Sequence, residues 1–195
     1  MELFYNTPDL VVCRKPVGVD SEHGLPELLA RELGGSFYPV HRLDLGVGGL
    51  MVFARNRKAA ADMSGLIAQG KLQKEYLALV HGCPEEPEGR MEDLLWKDSR
   101  KNKVFVVKRP RAGVRPAALR YRVVKPGAES LVRVYLETGR SHQIRVQFAS
   151  RGFPLVGDHK YGSRSRETQI HLFSAALEFP WKGQQLRFED RPDWA

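Results

Sequence analysis

The stretch His41–Asn56, HRLDLGVGGLMVFARN, joins a polar motif, a glycine-rich turn and an apolar run. Leu50–Ala54 is apolar throughout, which predicts a buried strand, and the glycines before it predict a turn. Neither a turn nor a buried strand requires the sequence His-Arg-Leu-Asp, so Asp44 becomes a candidate for chemistry. The ordinary alternative is an aspartate that only caps the turn.

On both sides of this stretch, the hydrophobic spacing predicts strands and helices in irregular alternation. Apolar residues at helical spacing predict one helix that begins near Leu25 and ends at Gly34, and another over Lys58–Ala68. Ser141 is expected to cap a third helix, which ends at Gly152. Strands are predicted at Leu10–Val19 (ending in a Pro-x-Gly turn), Gly49–Ala54, Lys74–Gly82, Val104–Val107, Leu119–Val124, Leu131–Glu137, Ile170–Leu177 and Leu186–Phe188, and a polar loop at Cys83–Asp93. The excess of strands predicts an α+β fold, in a single domain over residues 1–195.

The composition is that of a folded, soluble protein from a reducing compartment. The 195 residues are 42% hydrophobic and 28% charged, which is enough for one sizeable core. No apolar run is long enough to cross a bilayer, and the N-terminus lacks the basic and apolar regions of an export signal. Cys13 and Cys83 stand far apart and form no CxxC pair, which favours free thiols. We therefore expect a cytoplasmic monomer with no membrane partner.

Positive charge indicates a polyanionic partner. The formal net charge is +8, and Lys and Arg side chains bind phosphates favourably because condensed counterions are released. The segment Lys97–Pro116 is especially dense in Lys and Arg. It is either a basic arm that follows a nucleic-acid backbone or a solvated, mobile hairpin. Sequence reasoning leaves both interpretations open.

Several kinds of catalytic site are disfavoured by missing motifs. Gly46–Gly49 lacks the GxGxxG spacing and no Lys-Ser/Thr pair follows it, which argues against a dinucleotide site or a P-loop. The six histidines form no HExxH pair and no Cys/His cluster exists, which argues against a catalytic metal. The sequence also contains no GxSxG nucleophile motif.

Glu137–Arg145, ETGRSHQIR, is a second candidate for function. A Thr-Gly turn leads into the predicted third helix. The first N–H groups of that helix, together with Arg140, Ser141 and His142, would form a phosphate cradle. Arg145, one turn further on, is either a surface residue or the partner of a carboxylate in a cleft.

Separated motifs, in one order along the chain, resemble those of the RluA-type pseudouridine synthases. They are HRLD at His41–Asp44, KEYLALVHG at Lys74–Gly82, LETGRSHQIRV at Leu136–Val146 and GFPLVGDHKYG at Gly152–Gly162, and RKPVGV at Arg14–Val19 is similar to the family's N-terminal Lys-Pro-x-Gly motif. The resemblance covers the chain from about Leu10 to Trp194. It implies a mixed, largely antiparallel central sheet flanked by helices and loops, a catalytic cleft, and no metal or organic cofactor.

The resemblance also implies roles for individual residues. Asp44 matches the aspartate on which the family's chemistry depends, and Arg145 matches the arginine that forms an ion pair with it. Tyr76 matches the tyrosine that packs against the target base and has been assigned a role in proton transfer, whereas the strand around it alone indicates a core aromatic. Arg42 matches an arginine that approaches the RNA around the flipped nucleotide, and Lys74 is assigned as a further RNA contact.

Two places depart from the family pattern. Val47-Gly48-Gly49 stands where the family usually has Thr-Ser-Gly, which removes two hydroxyls that brace the loop. Gln147 stands in place of the usual histidine after the helix arginine. The glycines near Asp44 are expected to let an RNA backbone approach closely.

The function implied by the resemblance is the isomerisation of uridines to pseudouridine in rRNA or tRNA. The nucleotide leaves its stack, the C1′–N1 bond breaks, and the base rotates and rejoins through C5. The aspartate either attacks the sugar covalently or takes a proton from C2′, and both routes stay open. Two other classes are alternatives: a non-catalytic RNA-binding or assembly protein on the same fold, and a nucleotide-binding hydrolase that uses the glycine loop.

Overall fold

Eleven β-strands and three α-helices form the structure, which confirms the α+β prediction. The computed structural model describes residues 1–195. The strands are β1 (Leu3–Asn6), β2 (Leu10–Lys15), β3 (Tyr38–Pro39), β4 (Gly48–Ala54), β5 (Gln73–His81), β6 (Glu88–Asp98), β7 (Lys103–Val107), β8 (Val114–Lys125), β9 (Glu129–Leu136), β10 (Leu172–Trp181) and β11 (Gln184–Glu189). The helices are α1 (Gly24–Leu33), α2 (Arg57–Ala68) and α3 (Gln143–Ala149), with a short 3₁₀ helix at His159–Tyr161. None of them is both long and apolar enough to span a membrane.

Residues 1–74 and 173–193 form one compact unit, and residues 75–172 and 194–195 form another. The first unit contains the strand order β1-β2-β4-β10, with β3 paired to β4 and β11 paired to β10. β4 and β10 run parallel, with Gly48 opposite Phe173 and Gly49 opposite Ser174. The other pairings in this unit are antiparallel. The mixed, largely antiparallel sheet that the family resemblance implies is therefore confirmed.

Strand β4 is central to the core of the first unit. All seven of its residues are buried, as the apolar run predicts. Helix α2 packs Ala59 and Met63 into the same core. It begins where the Asn56 side chain accepts a hydrogen bond from the N–H of Ala59 at 2.8 Å, which is a typical N-cap. This core fixes the start of β4, and with it the turn that carries Asp44.

The second unit contains an antiparallel sheet in the order β5-β9-β8-β6-β7. The prediction of a loop over Cys83–Asp93 is wrong from Glu88 onward, because β6 begins there. Met91 and Leu95 of β6 are buried, while the charged residues around Met91 give the strand a polar outer face. A Pro- and Glu-rich composition concealed this alternation.

Helix α3 is shorter than predicted and begins without a side-chain cap. The residue before it, His142, has a left-handed backbone with φ of 51°. The prediction that Ser141 caps the helix is therefore wrong. A non-glycine residue pays about 1–2 kcal/mol for this conformation. The strained residue lies directly at the second stretch that sequence reasoning selected.

Candidate active site

Asp44 opens a tight turn in the first unit, directly before β4. The N–H of Val47 donates to the carbonyl of Asp44 at 2.9 Å, which closes a β-turn. The Asp44 residue is partly exposed, and Leu45 next to it is 58% exposed. The prediction of a turn before a buried strand is confirmed. The backbone that carries the carboxylate is therefore fixed by the core behind it.

Lys15, at the end of β2, braces this turn from inside the unit. Its side chain is fully buried, and its Nζ donates to the carbonyls of Pro16 at 2.9 Å, Val19 at 2.7 Å and Leu45 at 3.3 Å. The N–H of Gly18 donates to the same Leu45 carbonyl at 2.8 Å. One ammonium group thus ties the Lys-Pro-x-Gly motif to the turn.

The charge of Lys15 acts together with these hydrogen bonds. Burial lowers the pKa of Lys15 to about 8, while the negative charges of Asp20 and Asp44 act in the opposite direction. Lys15 and Asp44 therefore attract each other across the turn. The Asp44 turn is therefore supported from inside the unit by both hydrogen bonds and charge.

Gly48 and Gly49 are explained by the packing of strands. Gly49 has φ of 114°, and a Cβ there would lie 2.4 Å from the carbonyl oxygen of Ser174 in β10. A Cβ on Gly48 would lie 3.3 Å from the carbonyl oxygen of Lys15. These two glycines let backbone pack against backbone within the unit, and the close approach of an RNA backbone at the turn stays a prediction.

Three further residues of the first unit differ in their exposure. The Arg42 side chain is 58% exposed and pairs with Glu22 at 3.0 Å. The His41 ring accepts a hydrogen bond at Nε2 from the N–H of Val52, its Nδ1 has no partner, and burial lowers its pKa to about 3. Burial also lowers the pKa of Lys74. Of the predicted RNA contacts in this unit, Arg42 is the more accessible.

Tyr76 lies in the second unit, on β5 and opposite Val134 of β9. The prediction that it stands in an apolar strand is confirmed, and the residue is 5% exposed. Because protein interiors are closely packed, a ring as buried as this one has a fixed orientation. Its contact with a target base stays a prediction.

Arg145 lies on α3 and forms a forked, buried ion pair with Asp158. Its Nε and Nη2 donate to the two carboxylate oxygens at 2.6 and 2.9 Å, and the side chains are 7% and 1% exposed. Gly157 precedes the aspartate with φ of 77°, and a Cβ there would lie 1.8 Å from the carbonyl oxygen of Gln169. Sequence reasoning expected a carboxylate partner for Arg145 but did not name Asp158. The ion pair between Arg145 and Asp44 stays a prediction.

Tyr161 joins Arg145 to the residues around it. The Arg145 guanidinium lies over the Tyr161 ring, 5.1 Å from its centroid. The Tyr161 hydroxyl accepts a hydrogen bond from the N–H of Val104 at 2.8 Å and lies 2.8 Å from Nδ1 of His142. The Tyr161 hydroxyl is therefore hydrogen-bonded to both Val104 and His142. Strand β7 and helix α3 are thereby connected through one side chain.

Two of the N–H groups near the phosphate cradle predicted at Arg140–His142 have partners within the protein. The N–H of Arg140 donates to Oε1 of Gln143 at 3.0 Å, and the N–H of Gln143 donates to the Arg140 carbonyl at 3.2 Å. The turn therefore closes on itself through Gln143. The N–H groups of Arg140 and Gln143 are therefore occupied, and an RNA contact by Arg140, Ser141 and His142 stays a prediction.

Comparison with known proteins identifies the family. Residues 9–150 match a family model described as RNA pseudouridylate synthase. An uncharacterized RNA pseudouridine synthase of Haemophilus influenzae is 31% identical over 191 residues, which cover 93% of this chain and 83% of that protein. The dual-specificity RNA pseudouridine synthase RluA of Salmonella typhi is 30% identical over 209 residues, which cover 98% and 93%. The chain belongs to the RluA-type family of RNA pseudouridine synthases.

Solved structures show the fold of this pseudouridine synthase in human proteins. Human RNA pseudouridylate synthase domain containing 1 aligns with a TM-score of 0.87 and 24% identity, covering all of this chain and 84% of that one. At this identity the likeness concerns the fold. The predicted fold and enzyme class, an isomerase that acts on RNA, are confirmed.

Three positioning residues of this pseudouridine synthase were missed by sequence reasoning: Lys15, Asp158 and Tyr161. Lys15 ends a mostly apolar strand, and a charge in such a strand requires buried partners, so a signal was present. Asp158 stands in the quoted motif GFPLVGDHKYG, without any local feature that pairs it with Arg145. The role of Tyr161 depends on tertiary contacts alone.

Proposed function

We propose that this protein isomerises specific uridines in structured rRNA or tRNA to pseudouridine, with Asp44 as the catalytic carboxylate. The observation that carries the proposal is the family match over residues 9–150, because that range contains Asp44, Tyr76 and Arg145 together. The turn braced by Lys15 supports it further. A protein that only binds RNA has no need to fix a carboxylate in this way.

The reaction needs no other reactant than RNA. Taking the uridine out of its stack costs a few kcal/mol, and least where the nucleotide is in a loop or a distorted pair. The C1′–N1 bond then breaks, the uracil rotates, and a bond forms between C1′ and C5. The C5 proton leaves to solvent and N1 gains a proton, so the atoms balance. Asp44 acts at the sugar, either as a nucleophile at C1′ or as a base that takes and returns the C2′ proton.

Arg145 and Tyr76 complete the proposed chemistry. A guanidinium carries five N–H donors, and the fork with Asp158 uses one edge of it. We assign to Arg145 the ion pair with Asp44 that the family resemblance implies, since a guanidinium favours and orients an ionised carboxylate. Tyr76 packs against the uracil as it turns. Lys15 is a positioning residue that holds the Asp44 turn.

The remaining assignments describe the enzyme as a whole. RNA is bound by Arg42, Lys74, Arg140, Ser141 and His142, beside the reacting nucleotide. The enzyme works as a monomer with a single catalytic domain over residues 1–195, without metal or organic cofactor. Both cysteines are free thiols, which suits a reducing compartment, and we place the enzyme in the cytoplasm.

Tritium release tests the proposed function. Purified protein is incubated with rRNA and tRNA transcripts that carry tritium at C5 of uridine, and the expected result is release of tritium in proportion to the pseudouridine formed. Pseudouridine mapping of total RNA from cells with and without the gene then identifies the modified position. Tight RNA binding without any tritium release would favour the non-catalytic alternative and overturn the proposal.

A further inference from the structure

The outer face of the β6–β7 pair carries two aromatic rings. Trp96 of β6 lies opposite Phe105 of β7, with ring centroids 6.2 Å apart and a 32° angle between the planes. Their neighbours Leu95 and Val104 are buried in a core cluster. Since side chains alternate along a strand, Trp96 and Phe105 point to the opposite face, where both are partly exposed.

The segment around these rings holds most of the net charge of the protein. Lys97–Pro116 contains eight Lys and Arg residues and one acidic residue, Asp98, a net charge of +7 in a chain of net +8. None of the eight charged side-chain groups has an Asp or Glu oxygen within 4.0 Å of its nitrogens. By contrast, Arg90 and Arg120 on the adjoining strands both pair with Glu137, at 2.8 and 3.4 Å. The cations of this segment are therefore available to phosphates.

Cations lie close to both rings and also at both ends of β7. Cζ of Arg111 lies 4.7 Å from the Trp96 ring centroid, and Nζ of Lys103 lies 5.8 Å from that of Phe105. Exposed cations also stand before and after β7, at Arg100, Lys101, Lys108 and Arg109. A five-residue strand is about 17 Å long, so the two groups of cations lie on either side of the ring pair.

This face is braced in position. The N–H of Val104 donates to the Tyr161 hydroxyl at 2.8 Å, and Nζ of Lys160 donates to the carbonyl of Asn102 in the β6–β7 turn at 3.1 Å. β6 also pairs with β8 from Glu88 to Trp96. A surface already ordered by its own contacts loses less freedom when a ligand binds.

We propose that Trp96 and Phe105, with the cations of Lys97–Pro116, bind a single-stranded segment of the substrate RNA by base stacking. Every base has a face that stacks on an aromatic ring, and cations follow the phosphates of a single strand. A base stacks on the planar Arg111 guanidinium or takes its place on Trp96. The bases of a duplex stack on one another, so they cannot stack on these rings. An acidic protein segment has no bases at all. The proposal rests on the proposed function and specifies how the RNA is held outside the reacting uridine.

Binding of an adenylate 12-mer, measured by fluorescence anisotropy, tests the stacking. Trp96→Leu should weaken binding of this single strand about tenfold, with no change in its salt dependence. Trp96→Phe keeps a stacking ring and should bind within about threefold of the unaltered protein. Thermal unfolding of each variant shows that it is folded. Unchanged affinity in folded Trp96→Leu, or equal losses in the Leu and Phe variants, would overturn the proposal.

The cations are tested with a matched pair of triple variants. Lys101→Gln, Lys108→Gln and Arg109→Gln together should reduce the slope of log affinity against log salt by about 2, since each phosphate contact in a single strand contributes about 0.7. The control replaces three exposed, unpaired cations of the first unit, Arg31, Arg57 and Lys71, by Gln. Equal slopes in the two variants would contradict a local site for the phosphates.

Two further binding measurements distinguish a single-stranded RNA ligand from a duplex and from an acidic protein partner. Trp96→Leu should bind a 12-base-pair RNA duplex as well as the unaltered protein does, and polyglutamate should compete poorly with the adenylate strand. Polyglutamate that competes as well as RNA would overturn the proposal in favour of an acidic protein partner. The adenylate strand contains no uridine, so its binding is independent of catalysis. If the unaltered protein releases tritium but Trp96→Leu binds the adenylate strand normally, only this proposal is overturned. If Trp96→Leu binds the strand more weakly but the unaltered protein releases no tritium, only the proposed function is overturned.

Discussion

At the scale of single residues, two buried cations lie in segments to which chemistry is assigned: Lys15 behind the Asp44 turn, and Arg145 on α3. Lys15 is held by three carbonyls, and Arg145 is held by the two oxygens of Asp158. A buried charge is costly unless its hydrogen bonds are satisfied. Leu45 is 30 residues away from Lys15 in the sequence and Asp158 is 13 residues away from Arg145, so each cation also ties two segments together. Precise placement of this kind is what a catalytic constellation requires.

Replacing Lys15 tests the first of these cations. Lys15→Met should lower the free energy of unfolding by about 2 kcal/mol at pH 7, because three carbonyls lose the buried ammonium group that donates to them. The pKa of Lys15 is about 8 in the folded state and 10.5 without the fold, so the unfolded chain binds more protons between these pH values. Stability of the unaltered protein should therefore rise through this window relative to the variant. Urea unfolding at pH 7, 9 and 10.5 measures the difference, with exposed Lys71→Met as the control. A difference that shrinks as the pH rises would contradict the lowered pKa.

Replacing Asp158 tests the second cation. Asp158→Asn should lower the free energy of unfolding by about 3 kcal/mol, because Arg145 keeps a buried charge without its partner. It should also slow pseudouridine formation, since the guanidinium loses the group that orients it. Denaturant unfolding and tritium release measure the two effects. The control is Asp62→Asn, whose exposed pair with Lys58 should contribute less than about 1 kcal/mol. Equal stabilities of the two variants would count against a structural role for the buried fork.

At the scale of elements, the contact between β4 and β10 depends on a glycine. Gly49→Ala should lower the free energy of unfolding by more than about 3 kcal/mol, because its Cβ would lie 2.4 Å from backbone of Ser174 at a φ of 114°. At Gly65, within α2, a Cβ would point into open space. Gly65→Ala should therefore raise stability by about 0.5–1 kcal/mol. Chemical denaturation of both variants measures the contrast. A mild effect at Gly49 would show that the strands can separate.

Elements with a clear period were predictable from sequence, and elements shaped by tertiary contacts were not. The apolar run of β4 and the helical spacing of α2 gave their positions to within a residue or two. The start of β6 was concealed because its outer face is charged. The start of α3 depends on a left-handed His142, whose hydroxyl partner Tyr161 lies 19 residues further along the chain. Local sequence patterns span only a few residues, so they cannot predict a contact between residues this far apart in the chain.

At the scale of the whole molecule, the order of the motifs was enough to indicate the family. The hydrogen bonds and ion pairs among the candidate site residues could be found only from the structure. Asp44 was selected from the sequence because a turn and a strand leave HRLD unexplained, and its catalytic role stays a prediction. For Arg145 the sequence left two interpretations open, a surface residue or the partner of a carboxylate, and the structure shows the second, with Asp158. Asp158 was not predictable, since 13 residues separate it from Arg145. The net charge pointed to a polyanion, and the structure adds that the cations of Lys97–Pro116 carry no ion pairs.

The central claim is that the Asp44 carboxylate performs the reaction on RNA that other residues bind. The most direct test is tritium release by Asp44→Asn, with RNA affinity measured on the same preparation and Asp62→Asn as the matched control. Asn keeps the size of the side chain and removes its charge. We predict no detectable tritium release from Asp44→Asn, unchanged RNA affinity, and full activity of the control. Pseudouridine formation by Asp44→Asn at a rate near that of the unaltered protein would contradict the account.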